Sequence, residues 1–154
     1  MNKLRKLSRD QRGFNLIELM IVIAIIGLLI GVGSLAWTAV MRSGNETAAV
    51  QSMDNIRKFE AQYAARSKGE FGTFQDLINT VDLDKKFGGT ESPVVNGYIF
   101  TLTVTKASGN EPPKYEIHAD PQGTSGKRHF YTSSDLSTIK GVDDKPATKD
   151  DDSI

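Results

Sequence analysis

From Leu19 to Met41 the sequence carries no charged side chain, and the longer apolar run from Phe14 to Met41 is interrupted only by Asn15, Glu18, Ser34 and Thr38. A helix needs about 20 such residues to cross a bilayer. The run is therefore read as a membrane-length helix over residues 14–41. Its polar end is unusual. Glu18 stands just inside the run, four residues after the step Gly13-Phe14. A carboxylate that reached mid-membrane would cost about 2.5–3.5 kcal/mol, so an acid in this position points to function by default. It needs a partner, and the amine that cleavage after Gly13 would create is the nearest candidate.

Before Gly13 lie Lys3, Arg5, Lys6, Arg9 and Arg12 against Asp10 alone, in a chain whose formal net charge is zero. A basic start followed by an apolar span is the positive-inside pattern, with the leader held in the cytoplasm. The rest of the chain is net acidic and offers no electrostatic footprint for nucleic acid, which is not expected as a specific ligand. Cysteine is absent, which excludes disulfides, thiol catalysis and cysteine-ligated zinc. A secretory signal peptide is the competing reading of the N-terminus. Such peptides place the cut after an apolar region of about 7–15 residues. Here the apolar region is longer and the small residue precedes it, so cleavage after Gly13 would keep the apolar helix in the mature chain. A plain membrane anchor explains the hydrophobicity but not the placement of Gly13, Phe14 and Glu18.

Gly27, Gly31 and Gly33 fall inside the run. Gly27 and Gly31 form a Gly-x-x-x-Gly pair, which lets membrane helices approach closely. Ordinary membrane-helix composition accounts for the same glycines.

The stretch Arg12-Gly13-Phe14-Asn15-Leu16-Ile17-Glu18-Leu19-Met20, followed by an isoleucine-rich run, resembles the prepilin signature of type IV pilins and related pseudopilins. The resemblance covers residues 9–37. It implies that Gly13 precedes the cut made by a membrane-embedded prepilin peptidase that also acts as N-methyltransferase. Phe14 then becomes the mature, N-methylated terminus. Glu18 supports recruitment into a growing fibre by pairing with the amine of a neighbouring Phe14. The implied partners are identical subunits, the peptidase, an inner-membrane assembly platform and, before assembly, the membrane itself. Asn15 stands where the family often has threonine. Many pilins carry a proline midway along this helix, whereas this chain has none before Pro93. Flexibility of the helix would have to rely on Gly27, Gly31, Gly33 and Ser34.

Beyond the apolar run, Ala48, Ala49, Met53, Ile56, Phe59 and Tyr63 recur at three- and four-residue spacing, with Asp54, Arg57, Lys58 and Glu60 assigned to other faces. This predicts an amphipathic helix over residues 42–66 that needs a cover for its stripe. A helix from Phe14 to Arg66 would be ~80 Å long at 1.5 Å per residue. Ser43-Gly44-Asn45 is a weak point within it. The stripe does not hold a heptad long enough for a coiled coil, so packing on the chain's own sheet is expected.

Residues 67–96 read as a connection holding a short helix from Thr73 to Asn79, with Thr73 as cap and turns at Gly88-Gly89, Pro93 and Asn96-Gly97. Tyr98–Val104, Tyr115–Ala119 and Arg128–Thr132 have strand character, and a small strand near Ser137–Lys140 completes the expectation. Short connections between them predict an antiparallel meander over 97–140 with one face free to lie on the helix. Residues 141–154 are expected to form an acidic, solvated tail. The fold class is thus α+β, a long helix on a small antiparallel sheet, which is the pilin arrangement. This half also resembles a subset of cysteine-free pilins in its order of strands and turns. It lacks the Trp-Gly-Asn-Pro-Tyr-like turn typical of the major type II secretion pseudopilin, and the only tryptophan is Trp37.

No constellation for catalysis, cofactor or metal is expected. His118 and His129 lie in separate predicted strands without a carboxylate or second histidine at ligand spacing. Ser133, Ser134 and Asp135 form no nucleophile elbow, and Gly69-Glu70-Phe71-Gly72 lacks the lysine and spacing of a phosphate loop. The aspartates of the tail, Asp143, Asp144, Asp150, Asp151 and Asp152, fit no EF-hand spacing. Phe14, Trp37, Phe59 and Tyr63 along the helix are assigned to packing. With the prepilin resemblance, this implies a structural subunit, a major pilin that moves from the bacterial inner membrane to a surface filament. A minor pilin or type II secretion pseudopilin is the alternative. A membrane-anchored binding module is the reading from a different class. Motility, adhesion, DNA uptake, conduction and secretion are not separable at this level, because the same scaffold serves all of them.

Overall fold

A computed structural model describes residues 13–154. Residues 1–12 of the expected leader, with its cations, lie outside them. Helix α1 spans Leu16–Arg66 and is followed by α2 (Phe74–Val81) and a 3-10 turn at Lys85–Phe87. The strands are β1 (Val94–Val95), β2 (Tyr98–Thr105), β3 (Lys114–Pro121), β4 (Arg128–Ser133) and β5 (Lys140–Asp143). They form one five-stranded sheet in the order β1-β2-β3-β4-β5, every neighbour antiparallel. The arrangement is the α+β, pilin-like one: a long N-terminal helix followed by a small antiparallel sheet. The chain divides into two compact units after Thr38.

In the first unit α1 is apolar on all sides and its described large apolar side chains are exposed. Leu16, Ile21, Leu28, Ile30 and Trp37 are all more than half exposed. The helix runs unbroken through Gly27, Gly31 and Gly33.

In the second unit the remainder of α1 packs on the sheet. Ala49, Met53, Ile56 and Glu60, at spacings of four, three and four, are completely buried. Phe59 and Tyr63 are only partly buried and pack against this core. The burial of Glu60 corrects the expectation that placed it on another face. Its spacing from Ile56 sets it on the stripe itself. From the sheet, Tyr98 and Phe100 of β2, Ile117 and Ala119 of β3 and Phe130 of β4 meet the helix stripe. The alternation of β3, with Tyr115, Ile117 and Ala119 buried and Glu116 exposed, follows the period of a strand with one covered face.

The expected weak point at Ser43-Gly44-Asn45 lies within unbroken helix. Polar groups on this turn hold the β3–β4 connection instead. Arg42 Nε donates to the Thr124 carbonyl (3.0 Å), Asn45 Nδ2 to the Ser125 carbonyl (2.9 Å), and the Lys127 N–H donates to Glu46 Oε1 (3.1 Å). Positions 42, 45 and 46 share one helix face.

Thr73 caps α2 by a reciprocal arrangement. Its hydroxyl accepts from the Asp76 N–H, and the Asp76 carboxylate accepts from the Thr73 N–H at 3.0 Å. The hairpin from β1 to β2 turns on Asn96 and Gly97, both at positive φ (51° and 76°), which a two-residue hairpin of this hand requires. Val94 and Val95, read from sequence as part of the connection, therefore form the first strand.

The sheet extends past residue 140, where the sequence reading ended it. Residues 141–154, read as a solvated tail, supply most of β5 and then fold back on its edge. The Gly141 N–H donates to the Asp152 carbonyl (3.0 Å) and the Ile154 N–H to the Ile139 carbonyl (3.1 Å). The physical reason is local satisfaction of the charges. Asp151 accepts from both the N–H and the hydroxyl of Thr148 (2.7 and 2.9 Å), Lys145 lies 3.6 Å from Asp151, and Ala147 is completely buried.

Candidate functional site

The polar mouth of α1 is built from consecutive residues. Gly13 and Phe14 precede the helix, so the peptide between them is not tied into the helical ladder. Phe14 is 84% exposed, and a Cβ placed on Gly13 would meet nothing within 4 Å.

Asn15 is the N-cap. Its Oδ1 accepts from the Ile17 N–H at 3.3 Å, and its carbonyl accepts from the N–H groups of Glu18 (3.0 Å) and Leu19 (3.3 Å). Glu18 closes the arrangement: its Oε2 accepts from the Asn15 N–H at 3.1 Å. Cap and third helical residue thus satisfy one another, as in a capping box, with asparagine in the place of serine or threonine. Glu18 in the first turn also complements the positive end of the helix. The acid that the sequence left in need of a partner has one on its own chain. The signal for it, Asn-x-x-Glu before an apolar run, is in the sequence, where the family resemblance alone marks Asn15 as a replacement of threonine.

Downstream of this mouth the helix from Leu16 is long and apolar enough to cross a membrane, and none of its most apolar window is buried. A Cβ at Gly27, Gly31 or Gly33 would meet nothing within 4 Å. The structure thus sets Gly13, Phe14, Asn15 and Glu18 together at one end of this surface and spaces the three glycines along it.

The residues weighed for chemistry behave differently from their sequence spacing. The register of β3 and β4 brings Asp120 to His129, Oδ1 to Nδ1 at 2.5 Å, and sets the His118 ring beside Tyr131 with centroids 4.9 Å apart. The Tyr131 hydroxyl donates to Glu116 at 3.2 Å. Asp120 is a cross-strand neighbour of His129, and such a proximity is invisible to spacing along the chain. Among the described residues no group of three or more histidine, aspartate or glutamate side chains is arranged to hold a metal ion.

Residues 8–34 match the model of the prokaryotic N-terminal methylation motif. The match corresponds to a class III signal of the type IV pilin and pseudopilin kind. No curated protein and no solved structure matches the chain. The signal and the single apolar N-terminal helix fit a membrane-anchored pilin.

Proposed function

We propose that this chain is a precursor subunit of a type IV pilus, a structural protein cut after Gly13, N-methylated at Phe14 and polymerised from the inner membrane into a helical filament. The observation that carries the reading is the conjunction of the methylation motif over residues 8–34 with an uncovered apolar helix whose one acid sits at its mouth. Before assembly the Phe14–Met41 stretch sits in the bilayer. On extraction the same surface is buried among the helices of identical subunits, so the filament core replaces lipid. Leaving the bilayer is unfavourable, and a separate motor on an assembly platform must drive it.

Glu18 gives the exchange its register. Its Oε2 already lies on the Asn15 N–H, one residue from the amine that cleavage creates at Phe14. A carboxylate left unpaired in an apolar core costs several kcal/mol. The pairing of Glu18 with the Phe14 amine of a neighbouring subunit removes that cost only in the correct stagger. Gly27, Gly31 and Gly33 give the helix its close-approach and bending positions. The second unit coats the fibre and faces water. The absence of a Trp-Gly-Asn-Pro-Tyr-like turn favours a pilus subunit over a major secretion pseudopilin.

Intact mass and N-terminal sequencing of sheared fibres test this reading. The expected result is an abundant protein that begins at methylated Phe14. Scarce protein in the same fibres assigns a minor, priming subunit. Native protein that retains its first thirteen residues, or never appears in fibres, overturns it. Glu18→Ala is expected to be inserted and cleaved normally yet to assemble poorly, and a normal fibre yield from this variant argues against the register mechanism.

A further inference from the structure

Glu60 is the one carboxylate among the described residues that is completely buried. Its Oε2 accepts from the Gly72 N–H at 3.0 Å, whereas its Oε1 is buried without a hydrogen-bond partner. Gly72 lies in the connection 67–73 between α1 and α2, which crosses α1 closely. A Cβ at Gly72 would come within 3.1 Å of both the Tyr63 ring and Asp76 Cβ. The connection thus seats directly over a carboxyl group that has half of its polar atoms unsatisfied.

The groups around Glu60 do not neutralise it. Arg57, one turn earlier on α1, is committed to Asp54 (3.2 Å) and to the carbonyls of Leu136 and Ser137 (3.3 and 2.9 Å). Asp76 faces it from α2, and Tyr115 from β3. Glu70 of the connection has a buried oxygen without a partner of its own. None of the salt bridges among the described residues includes Glu60. An ionised carboxylate here would be desolvated and unpaired, the least favourable state for a buried charge.

We propose that Glu60 is a proton-dependent latch: protonated, it lets the connection 67–73 seat on α1; ionised, it draws water into this seam and loosens the connection. Burial pushes the carboxyl up to about 7 from its ordinary 4.5; the Gly72 N–H opposes the shift and the Asp76 charge adds to it. The native state therefore holds the proton more tightly than the unfolded chain. The stability that the proton supplies is present in full below about pH 4.5 and is lost as pH rises through about 7. The difference bounds the effect at about 300-fold in the folding equilibrium, since each pH unit is worth about tenfold.

The test uses the full chain in detergent micelles. Glu60→Gln keeps an acceptor for the Gly72 N–H and removes the charge. Between about pH 5 and pH 8 the folding equilibrium of the unmodified chain is expected to weaken about tenfold or more relative to this variant. Exchange of amides in residues 69–73, corrected for intrinsic rates, is expected to accelerate over the same range in the unmodified chain and to stay flat in Glu60→Gln. Equal pH dependence of the two proteins overturns the latch. A titration of the Glu60 carboxyl carbon in the unmodified chain needs no variant: a midpoint near 7 supports the proposal, and one near 4.5 overturns it. Neither outcome touches the filament reading, which makes no use of Glu60.

Discussion

The two stretches of α1, residues 16–41 and 42–66, obey one backbone geometry and meet opposite fates. Among the large apolar side chains described between Phe14 and Met41, even the best covered, Val22, is 45% exposed. Between residues 42 and 66, Ala49, Met53, Ile56 and Glu60 reach zero exposure. The difference follows from where the apolar residues stand on the helix. A stripe on one side needs only a sheet to cover it, and the chain supplies that sheet. Apolar character all round cannot be buried by one neighbour, so lipid or other copies must supply the cover. The comparison teaches that hydrophobic content alone does not place a helical segment; its angular distribution does.

Truncation in the covered core has the largest expected effect. Phe100 is completely buried and meets Phe87 edge-on at 5.4 Å. Phe100→Ala is expected to lower the unfolding free energy of the second unit by about 3–5 kcal/mol. Leu28, 68% exposed, sits in the uncovered stretch. Leu28→Ala is expected to leave that free energy unchanged while reducing fibre yield. Denaturant unfolding of both proteins in micelles, followed by the fluorescence and circular dichroism of the second unit, checks the pair. A large effect from Leu28→Ala would mean that the apolar stretch is not independent of the second unit.

The glycines sharpen the comparison at intermediate size. A Cβ at Gly126 would fall 2.1 Å from Tyr98 Oη and 2.8 Å from Cζ. Tyr98 cannot retreat freely, because its hydroxyl donates to the Arg128 carbonyl at 2.8 Å and its ring is fully buried. Gly126→Ala is expected to destabilise the second unit by about 1–3 kcal/mol as an overpacking change. A Cβ at Gly27 would meet nothing within 4 Å, so Gly27→Ala should fold normally in the unassembled chain. Loss of fibres from Gly27→Ala with unchanged thermal unfolding would then report a close neighbour in the filament.

How much was legible follows from the range of each interaction. The apolar helix, the 49–53–56 stripe, the Thr73 cap and the Asn96-Gly97 turn rest on residues a few positions apart, and the sequence announces them. The mouth of α1 is legible in its residues, but the bond by which the Asn15 N–H holds Glu18 shows only in the folded turn. The His129–Asp120 pair depends on the register of β3 and β4, which no spacing reveals. At Glu60 position outweighs charge: its offset from Ile56 sets it on the buried face. The tail follows the same rule: five aspartates predict solvation, whereas Thr148 and Lys145 satisfy Asp151 and residues 152–154 pair along the β5 edge.

The smallest expected effect concerns the mouth of the uncovered stretch, where one polar residue caps the first turn. Asn15→Ala removes the acceptor of the Ile17 N–H and leaves Glu18 bonding back to an unanchored turn. Loss of such a cap costs about 0.5–2 kcal/mol of helix stability. Amide exchange of Ile17, Glu18 and Leu19 in micelles is expected to rise by about tenfold, with unfolding of the second unit unchanged. Asn15→Ser, which restores a capping oxygen, is expected to return exchange close to the original rate. If the first turn frays without loss of fibres, the carboxylate finds its register from the neighbouring subunit alone. If fraying and fibre loss go together, and serine rescues both, the cap is what presents Glu18 to its partner.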